Sequence, residues 1–568
     1  MRSTDREMNA GEALLRRFKT LGIDHVFVNS GTDFPPIIEG LAQAGGAALP
    51  EMIVAPHEHA AMGMAHGYYL ATGKPQAVMV HTNVGLANAA IGAINAACDH
   101  IPMILCSGRT PVTEAGRFGG RMNPINWGQE MRDQAALVRE ATKWDFELRF
   151  PEQVAELADR AYAIATSLPR GPVYLSLPRE VLCEPCPTEV LSVPPALAAV
   201  IPGPRQSDIE AAAAILASAE RPLIIGQRGA GGGEGFATLA RICDRWAFPV
   251  VEFWPNQMTL STEHPMQAGY DPGRRLAEAD AVLVIDALTP WAPFEHAPPE
   301  DCPVIQVGQN PLFSRTPVRG FRTDIALPGE VTAVLAALES ALAPHHAART
   351  DALTARHEKL AKENLAARAA RRETAEAGCG APMSKAWVAR CVADLAERTD
   401  ATVLSELGCP LPFMTMTRPD SYFQEPHAGG LGWGLGAALG YQLADRDRPV
   451  IATVGDGSYM FANPVACHQI AEAARLPLLT VVLNNASWNA VRMATKAVYP
   501  DGAAAKANTM PLTALAPSPD FTKVAEASRA YAERVEDGAD LPAALDRALS
   551  IISNEKRQAL LDVAVAID

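Results

Sequence analysis

Two strand patterns near the carboxyl end of the chain carry the strongest signal: VIATVGDGSYMF (residues 450–461) and LLTVVLNNASW (residues 478–488). Each is an apolar run typical of a buried strand, and each ends in polar side chains. If the two strands are neighbours in a parallel sheet, Asp456 and Asn485 emerge at the same edge, which is where open α/β sheets bind ligands. The patterns therefore predict a ligand site at that edge.

The residue types at this edge suit a divalent cation and a phosphate group. The Asp456 carboxylate and the Asn485 amide supply the oxygen ligands that Mg²⁺ prefers, usually together with phosphate oxygens. Gly455 and Gly457 allow a ligand to approach the backbone closely, and the amides after Gly457 lead into a helix start that can receive a diphosphate. A GDG alone is a turn and an NN alone is a strand end, so the prediction depends on their combination.

Outside these motifs, short β-branched runs alternate with Ala-rich helical patterns along the chain. This alternation predicts an α/β protein with parallel sheets. The alternation is interrupted twice. A Pro-rich stretch is typical of a linker. A later stretch rich in Ala, Arg, Glu and Lys is typical of a solvated connecting helix. We expect an N-terminal domain (8–185), a central domain (205–343), a helical linker (344–382) and a C-terminal domain (383–568).

Composition narrows the class of function. The 568 residues carry a formal net charge of −15, which argues against a nucleic-acid or anionic-membrane surface, because such surfaces are bound by clustered Lys and Arg. The first residues are charged where a secretory signal needs an apolar core, and no apolar run is long enough to span a bilayer. We expect a cytoplasmic protein that acts on small molecules, with no nucleic-acid or membrane partner.

The GDG motif followed by NN resembles the thiamine-diphosphate motif of the decarboxylase and acetohydroxyacid synthase superfamily. The resemblance implies thiamine diphosphate and Mg²⁺ as cofactors, with the ion bound by Asp456, Asn485 and the carbonyl of Ser487. It implies diphosphate contacts at Gly457 and Ser458. It also implies three Rossmann-like domains with parallel sheets, which bind the pyrimidine ring, link the two halves and bind the diphosphate.

A second motif, PHEHAAMGMAHGYYLATGKP (56–75), looks like the family's glutamate segment. The resemblance places Glu58 against the aminopyrimidine ring, where its carboxyl group promotes proton removal from the thiazolium carbon. The alternative is that Glu58 only favours the positive end of a helix. In this family the glutamate and the GDG motif of one site come from different subunits, which implies a homodimer or homotetramer with active sites at the subunit interface.

A third motif, HAGGLGWGLGAALG (427–440), also resembles the family. The resemblance implies that a backbone carbonyl at Gly429 meets the aminopyrimidine ring and that the Leu431 side chain holds the cofactor bent. Ordinary helix packing is the alternative for Leu431.

Two N-terminal segments look most like benzoylformate decarboxylase. The segment 78–108 contains His81, and VFVNSGTD (26–33) places Thr32 where that enzyme has a serine. Histidine can move protons near neutral pH, and a hydroxyl can position a carboxylate, so both residues are candidates for catalysis. The alternatives are a strand-end histidine and a turn hydroxyl.

The resemblance implies a 2-keto acid decarboxylase or carboligase that works through an enamine intermediate on a 2-keto acid or aldehyde. Acetolactate synthase-like acyl transfer or 2-hydroxy ketone lyase activity is the alternative, although the glutamine usual in acetohydroxyacid synthases is Arg109 here. The segment GRFGGRMNPINWGQEMRDQ (116–134) matches neither branch. Its Arg117 and Arg121 are candidates for binding an acidic substrate or are solvated loop charges.

Two other classes stay open at this point. A non-catalytic member of the family is disfavoured by the presence of Glu58, Asp456 and Asn485 together. A flavin- or nicotinamide-dependent oxidoreductase would use the central domain, whose GQRGAGGGEG (226–235) resembles a nucleotide loop only loosely. We expect that domain to be empty.

Overall fold

The N-terminal part of the protein is a parallel α/β unit in a computed structural model that describes residues 8–45, 49–195 and 197–567. Its strands are β1 (His25–Asn29), β2 (Glu51–Val54), β3 (Ala77–Val80), β4 (Ile104–Arg109), β5 (Asp145–Glu147) and β6 (Val173–Pro178). They form one sheet in the order β2-β1-β3-β4-β6-β5. The helices around it are α1 (Ala10–Thr20), α2 (Pro35–Ala44), α3 (Glu58–Thr72), α4 (Thr82–Cys98), α5 (Ile125–Gly128), α6 (Val154–Thr166) and α7 (Arg179–Cys183).

The central part repeats the same architecture on a smaller scale. Its strands are β7 (Pro222–Arg228), β8 (Val250–Gln257), β9 (Ala281–Ile285), β10 (Val304–Gly308) and β11 (Ile325–Pro328). Its helices are α8 (Gln206–Ser218), α9 (Gly232–Trp246), α10 (Gly273–Glu278) and α11 (Val331–Leu342). The long helix α12 (Thr350–Glu376) follows and leads to the C-terminal part.

The C-terminal part holds both motifs of the predicted ligand edge. Its strands are β12 (Thr402–Glu406), β13 (Tyr422–Gln424), β14 (Val450–Gly455), β15 (Leu479–Asn484), β16 (Tyr531–Val535) and β17 (Ala559–Ala564). Its helices are α13 (Lys385–Thr399), α14 (Trp433–Ala444), α15 (Asp456–Phe461), α16 (Pro464–Ala473), α17 (Asn489–Val498), α18 (Ala503–Lys506), α19 (Phe521–Glu526) and α20 (Leu541–Ser550).

The central and C-terminal strands form one continuous sheet in the order β11-β10-β9-β7-β8-β13-β12-β14-β15-β17-β16. Its strand pairs are parallel except for the junction, where β13 meets β8 antiparallel through Phe423 and Gln257. The inner strands are buried on both faces, because helices cover a parallel sheet from both sides. The prediction of an α/β protein with parallel sheets is confirmed.

Helices α3 and α14 bring the N-terminal and C-terminal parts of the chain into direct backbone contact. A Cβ atom on Gly67 would lie 1.8 Å from the carbonyl oxygen of Ala437, and one on Gly440 would lie 1.9 Å from that of Met64. Any larger residue at these glycines would force the helices apart. The small residues of both helices thus allow α3 to pack closely against α14.

Within residues 8–45, 49–195 and 197–567, no helix is both long enough and apolar enough to cross a bilayer.

Candidate active site

Asp456 lies where β14 ends and α15 begins. Gly455 of β14 pairs with Leu483 of β15, so the two C-terminal motifs meet at one edge of the sheet. Asp456 Oδ1 accepts a hydrogen bond from the Gly457 amide at 2.8 Å. Burial raises the pKa of Asp456, and the nearby backbone amides act in the opposite direction.

The turn after β15 presents Asn485 and Ser487. Asn485 Oδ1 accepts a hydrogen bond from the Ser487 amide at 3.0 Å. Between them, Ala486 has a φ of 50°, a left-handed conformation that is uncommon for a residue with a side chain. The Trp488 ring packs over Gly457, where a Cβ atom would lie 2.3 Å from it. The turn is therefore held tightly against the GDG motif.

Two buried oxygens at this edge make no hydrogen bond of good geometry to the described residues. They are Asp456 Oδ2 and Ser458 Oγ, of which the second faces the carboxylate of Glu406. A buried polar atom without a partner is costly, and in native proteins it commonly marks a bound water, ion or ligand. A divalent cation at Asp456 and a phosphate oxygen near Ser458 would satisfy both atoms.

The glycine-rich loop that precedes α14 is held by Glu406, the last residue of β12. Its carboxylate accepts hydrogen bonds from the amides of Gly432 at 2.6 Å and Gly434 at 2.5 Å. Gly429 and Gly432 have φ values of 68° and 89°, which favour glycine. Sequence reasoning missed Glu406, although an acidic residue at the end of a buried strand is the signal that identified Asp456.

A second carboxyl group, which is half-buried, lies near Glu406. Glu425 Oε2 accepts a hydrogen bond from the Leu407 amide at 3.3 Å. Burial and the neighbouring Glu406 raise the pKa of Glu425 to about 8. Burial also raises the pKa of Glu406 to about 7, against the effect of the two glycine amides. The pair therefore holds at least part of a proton near neutral pH.

Side chains of the N-terminal part fix the same loop. Asn95 Nδ2 donates to the Gly430 carbonyl at 2.8 Å, and Asn95 Oδ1 accepts from the Gly430 amide at 3.1 Å. His59 Nε2 lies 2.8 Å from the Leu431 carbonyl. Burial lowers the pKa of His59 to about 4, so the ring is neutral near pH 7 and donates from Nε2. The loop that contains Gly429 and Leu431 thus has its backbone set by residues of α3 and α4.

Glu58 is the first residue of α3, and it is buried. Asn29 Nδ2 donates to its Oε1 at 2.9 Å, and Asn88 Nδ2 donates to its Oε2 at 3.1 Å. Gly85 lies close by, where a Cβ atom would be 3.0 Å from Glu58 Oε1. Each carboxylate oxygen therefore has an amide partner, and neither partner was assigned from the sequence.

His81 stands at the N-cap of α4, directly after β3. Its Nδ1 lies 2.5 Å from Asp33 Oδ1, and its Nε2 lies 2.9 Å from Gln129 Nε2. The hydrogen bond with Asp33 raises the pKa of His81, burial opposes it, and the charges of Asp33 and Glu58 add to the rise. Sequence reasoning missed Asp33 and Gln129, although both lie in segments that it quoted.

Thr32 has an exposed side chain in the turn after β1. Its carbonyl accepts a hydrogen bond from Arg179 Nη1 at 2.9 Å. The same guanidinium donates to the carbonyls of Gly119 at 2.8 Å and Gly120 at 2.5 Å. Arg179 therefore ties the Thr32 turn to the loop that precedes Gln129.

The arginines of this loop have carboxylate partners. Arg117 pairs with Glu184 at 2.9 Å, and Arg121 pairs with Glu130. Arg109 also pairs with Glu130, at 2.8 Å. These pairs favour a structural role for the loop charges over substrate binding.

The sequence-predicted residues fall into two groups. The first group holds Glu58, His81 and Thr32 of the N-terminal part, and the second holds the GDG edge, the turn after β15 and the glycine-rich loop. Among the hydrogen bonds and ion pairs of the described residues, none links Glu58 or His81 to Asp456, Asn485 or Ser487.

Comparison with known proteins gives matches to three domain families along the chain. The N-terminal TPP binding domain of thiamine pyrophosphate enzymes matches residues 8–137, their central domain matches 209–338, and their C-terminal TPP binding domain matches 407–563. TPP is thiamine pyrophosphate, which is the same compound as thiamine diphosphate.

Two curated relatives come from Pseudomonas aeruginosa. A probable 2-ketoarginine decarboxylase, AruI, is 30% identical over 497 residues, which cover 85% of this chain and 83% of the relative. A benzoylformate decarboxylase is 27% identical over 85% of this chain and 87% of its own. In fold, the chain resembles a thiamine diphosphate-dependent 4-hydroxybenzoylformate decarboxylase of Rhodococcus jostii RHA1, with a TM-score of 0.79, 22% identity and 99% of both chains covered.

The three domain matches follow one another in the order of the three structural units. Together with the identity to AruI over most of both chains, they show that this chain belongs to the thiamine pyrophosphate enzymes.

Proposed function

We propose that this thiamine-diphosphate enzyme is a Mg²⁺-dependent decarboxylase and carboligase of 2-keto acids. The observation that carries the proposal is the polar cluster of the N-terminal part, where the hydrogen bond with Asp33 and, to a smaller extent, the charge of the neighbouring Glu58 raise the pKa of His81. A buried carboxyl group and a histidine in one cluster supply the two groups that such a reaction needs for proton transfer. The names of the two Pseudomonas relatives support a 2-keto acid as the substrate class.

The C-terminal edge fits the cofactor and the ion. Asp456 Oδ2 is a buried oxygen without a partner. With the Asn485 amide oxygen and the Ser487 carbonyl it forms the all-oxygen donor set that Mg²⁺ prefers. Gly457 and Ser458 would contact the diphosphate. When bound, the thiazolium ring supplies the electron sink that stabilises the carbanion formed as carbon dioxide leaves.

The remaining predicted residues would orient the cofactor and handle protons. Gly429 and Leu431 lie on a loop whose backbone is hydrogen-bonded by Glu406 of the C-terminal part and by His59 and Asn95 of the N-terminal part. Such a loop would give a bent cofactor a rigid support. Glu58 would exchange a proton with the aminopyrimidine ring, and His81 would exchange one with the reacting substrate. Thr32, whose hydroxyl is exposed at the end of β1, would hold the substrate carboxylate.

Each complete site would form between two copies of the chain, in a homodimer or homotetramer. Large apolar side chains are exposed beside both groups of site residues, among them Phe118 at 85%, Met122 at 71%, Val498 at 69% and Leu512 at 93%. Burial of these exposed side chains against a second copy of the chain would remove apolar surface from water, which supports the proposal. We also propose the domain limits 8–185, 205–343 and 383–568, with 344–382 as the linker that contains α12.

Mixed oligomers test the shared site. Random mixing of Glu58→Gln chains with Asp456→Ala chains gives heterodimers with one intact site of two, so about a quarter of wild-type activity should return. A mixture of Glu58→Gln with His81→Ala chains is the control, because both changes lie in the same domain and leave every site damaged. Activity in neither mixture would place the whole site within one chain.

A panel of 2-keto acids tests the reaction itself. Aromatic, guanidino and short aliphatic 2-keto acids would be incubated with and without aldehyde acceptors, and the products identified by mass spectrometry. The proposal predicts carbon dioxide and an aldehyde from at least one donor, and a 2-hydroxy ketone when an acceptor is added. Acyl transfer without free aldehyde would favour an acetolactate synthase-like reaction instead.

A further inference from the structure

Asp33 is a buried carboxylate that contacts His81 from the side opposite Gln129. It is 4% exposed. Its Oδ1 lies 2.5 Å from His81 Nδ1, and its Oδ2 accepts a hydrogen bond from the Thr82 amide at 3.2 Å. One carboxyl group therefore bonds both the imidazole ring and the backbone that follows it.

The chain leaves space for this contact at two glycines. A Cβ atom on Gly31 would lie 2.1 Å from His81 Nδ1, and one on Gly108 would lie 1.5 Å from Asp33 Oδ2. Neither glycine has a positive φ, so the backbone conformation does not require glycine at either position. The space that the imidazole ring and the carboxylate occupy does require it.

The backbone after His81 is strained. Thr82 has a φ of 34°, which is an outlier for a β-branched residue. Such a conformation persists only where surrounding contacts determine it. The hydrogen bond from the Thr82 amide to Asp33 Oδ2 is one of those contacts. Asp33 thus helps to hold the first residue of α4, and with it the position of His81.

Asp33 defines which nitrogen of His81 carries the proton in the neutral ring. A carboxylate oxygen is only an acceptor, so the 2.5 Å contact with Asp33 Oδ1 places the proton on Nδ1. The lone pair is then on Nε2, which lies 2.9 Å from the amide nitrogen of Gln129. Gln129 belongs to the segment 116–134, in which the sequence analysis singled out only Arg117 and Arg121.

The charged groups around the ring are Asp33 and Glu58, and both favour its protonated form. The charges next to Gln129 are those of Glu130, which pairs with Arg109 and Arg121. Asp33 is in direct contact with the ring, so it is the group whose removal changes His81 most.

We propose that Asp33 is the positioning residue of His81: it keeps the neutral ring protonated on Nδ1, it leaves the lone pair of Nε2 facing Gln129, where a substrate could displace the amide, and it stabilises the imidazolium. His81 Nε2 would accept a proton and later return it, while the Nδ1 proton stays on the ring, bonded to Asp33. The proposal rests on the proposed function, in which His81 exchanges a proton with the substrate.

The test compares Asp33→Asn with Asp24→Asn in the full-length protein loaded with cofactor and Mg²⁺. Asp24 lies in the same domain, and its side chain pairs with Lys19. Histidine labelled with ¹⁵N reports the tautomer and titration of His81, assigned by comparison with His81→Ala. We expect Asp33→Asn to shift the His81 titration to lower pH and to mix the two neutral tautomers, while Asp24→Asn changes neither.

The kinetic measurement is the pH profile of kcat/KM with the best 2-keto acid of the panel. We expect Asp33→Asn to lower kcat by roughly tenfold or more, but by no more than the roughly 10²–10⁴-fold worth of the whole acid-base group. The part of the profile that reports the titration of His81 should move to lower pH. Cofactor affinity should stay unchanged. Gly108→Ala, which fills the space of the carboxylate, should change kcat and the profile in the same direction.

Two results would overturn the proposal in different ways. An unchanged tautomer and titration of His81 in Asp33→Asn would show that the carboxylate does not position the ring, whatever the activity. A shifted titration with full activity in both Asp33→Asn and His81→Ala would show that the contact is structural. In that case the proposed role of His81 fails as well, whereas decarboxylation by the wild type would still support the proposed function.

Discussion

In the C-terminal half of the site, Asp456 Oδ2 and Ser458 Oγ are buried oxygens that make no hydrogen bond of good geometry to the described residues. In the N-terminal half, by contrast, every side-chain polar atom of Glu58 and His81 has a protein partner within hydrogen-bond distance. Unsatisfied oxygens suit a half that binds an ion and a diphosphate tightly. Side chains that are fully bonded by the protein keep a defined orientation and a tuned pKa, which suits proton transfer. The comparison predicts that changes in the N-terminal half mainly lower turnover and that changes in the C-terminal half mainly lower cofactor affinity.

The largest effect is expected for Glu58→Gln. The amide cannot exchange a proton with the aminopyrimidine ring, so turnover should fall at least as far as the roughly 10²–10⁴-fold worth of an acid-base group. Cofactor affinity, measured by calorimetry, should be nearly unchanged. Glu156→Gln is the matched control, because Glu156 is an exposed acid in the first turn of α6. If the thiazolium carbon still exchanged its proton for deuterium at the wild-type rate, Glu58 would only support the helix.

A slightly smaller loss of turnover is expected for His81→Ala. The rate should fall by roughly two to four powers of ten, because a positioned proton carrier is lost. Cofactor affinity and thiazolium deprotonation should not change. NMR of acid-quenched intermediates should show accumulation of the species before the blocked proton transfer. The exposed His345 provides the control, His345→Ala. Normal turnover of His81→Ala would assign the proton transfer to Thr32 or to water.

In the C-terminal half of the site, the property expected to fall is the affinity for the cofactor. Chelation of Mg²⁺ should release thiamine diphosphate, and Asp456→Ala should lower the cofactor affinity by roughly tenfold to a hundredfold or more, because in the proposed function Asp456 would hold the ion that helps to bind the diphosphate. Calorimetry would measure both changes. Asp546→Ala, which removes an exposed acid of the same domain, should change nothing. Undiminished cofactor affinity in excess chelator would contradict the metal role of this edge.

The smallest expected effect is that of Asp33→Asn on the free energy of unfolding. The pKa of His81 is raised above 6.5 in the folded protein. Its contribution to the free energy of unfolding is therefore fully present below about pH 6.5 and is lost as the pH rises through the folded-state pKa. Thermal unfolding of wild type and Asp33→Asn between pH 5 and pH 9 should show a stability difference that narrows with rising pH. A difference that widens with pH would contradict the charge interaction.

Much of the fold was predictable from local patterns. The two apolar runs at the predicted ligand edge are the strands β14 and β15, and the predicted alternation of strands and helices is present along the chain. Short or partly exposed strands such as β2 and β5 were missed, because three or four residues do not establish a periodicity. The antiparallel junction of β8 and β13 was also missed, since strand pairing depends on residues far apart in the chain.

The sequence by itself determined the alternation of strands and helices and the positions of Asp456, Asn485 and His81 at strand ends, because both are local properties of the chain. Only the tertiary structure decided that His81 is bonded to Asp33, 48 residues away, and that Asn95 binds the loop at Gly430, 335 residues away. Hydrogen bonds depend on the separation of side chains after the helices have packed. That separation is set by residues such as Gly67 and Gly108, whose role is the space that they leave open.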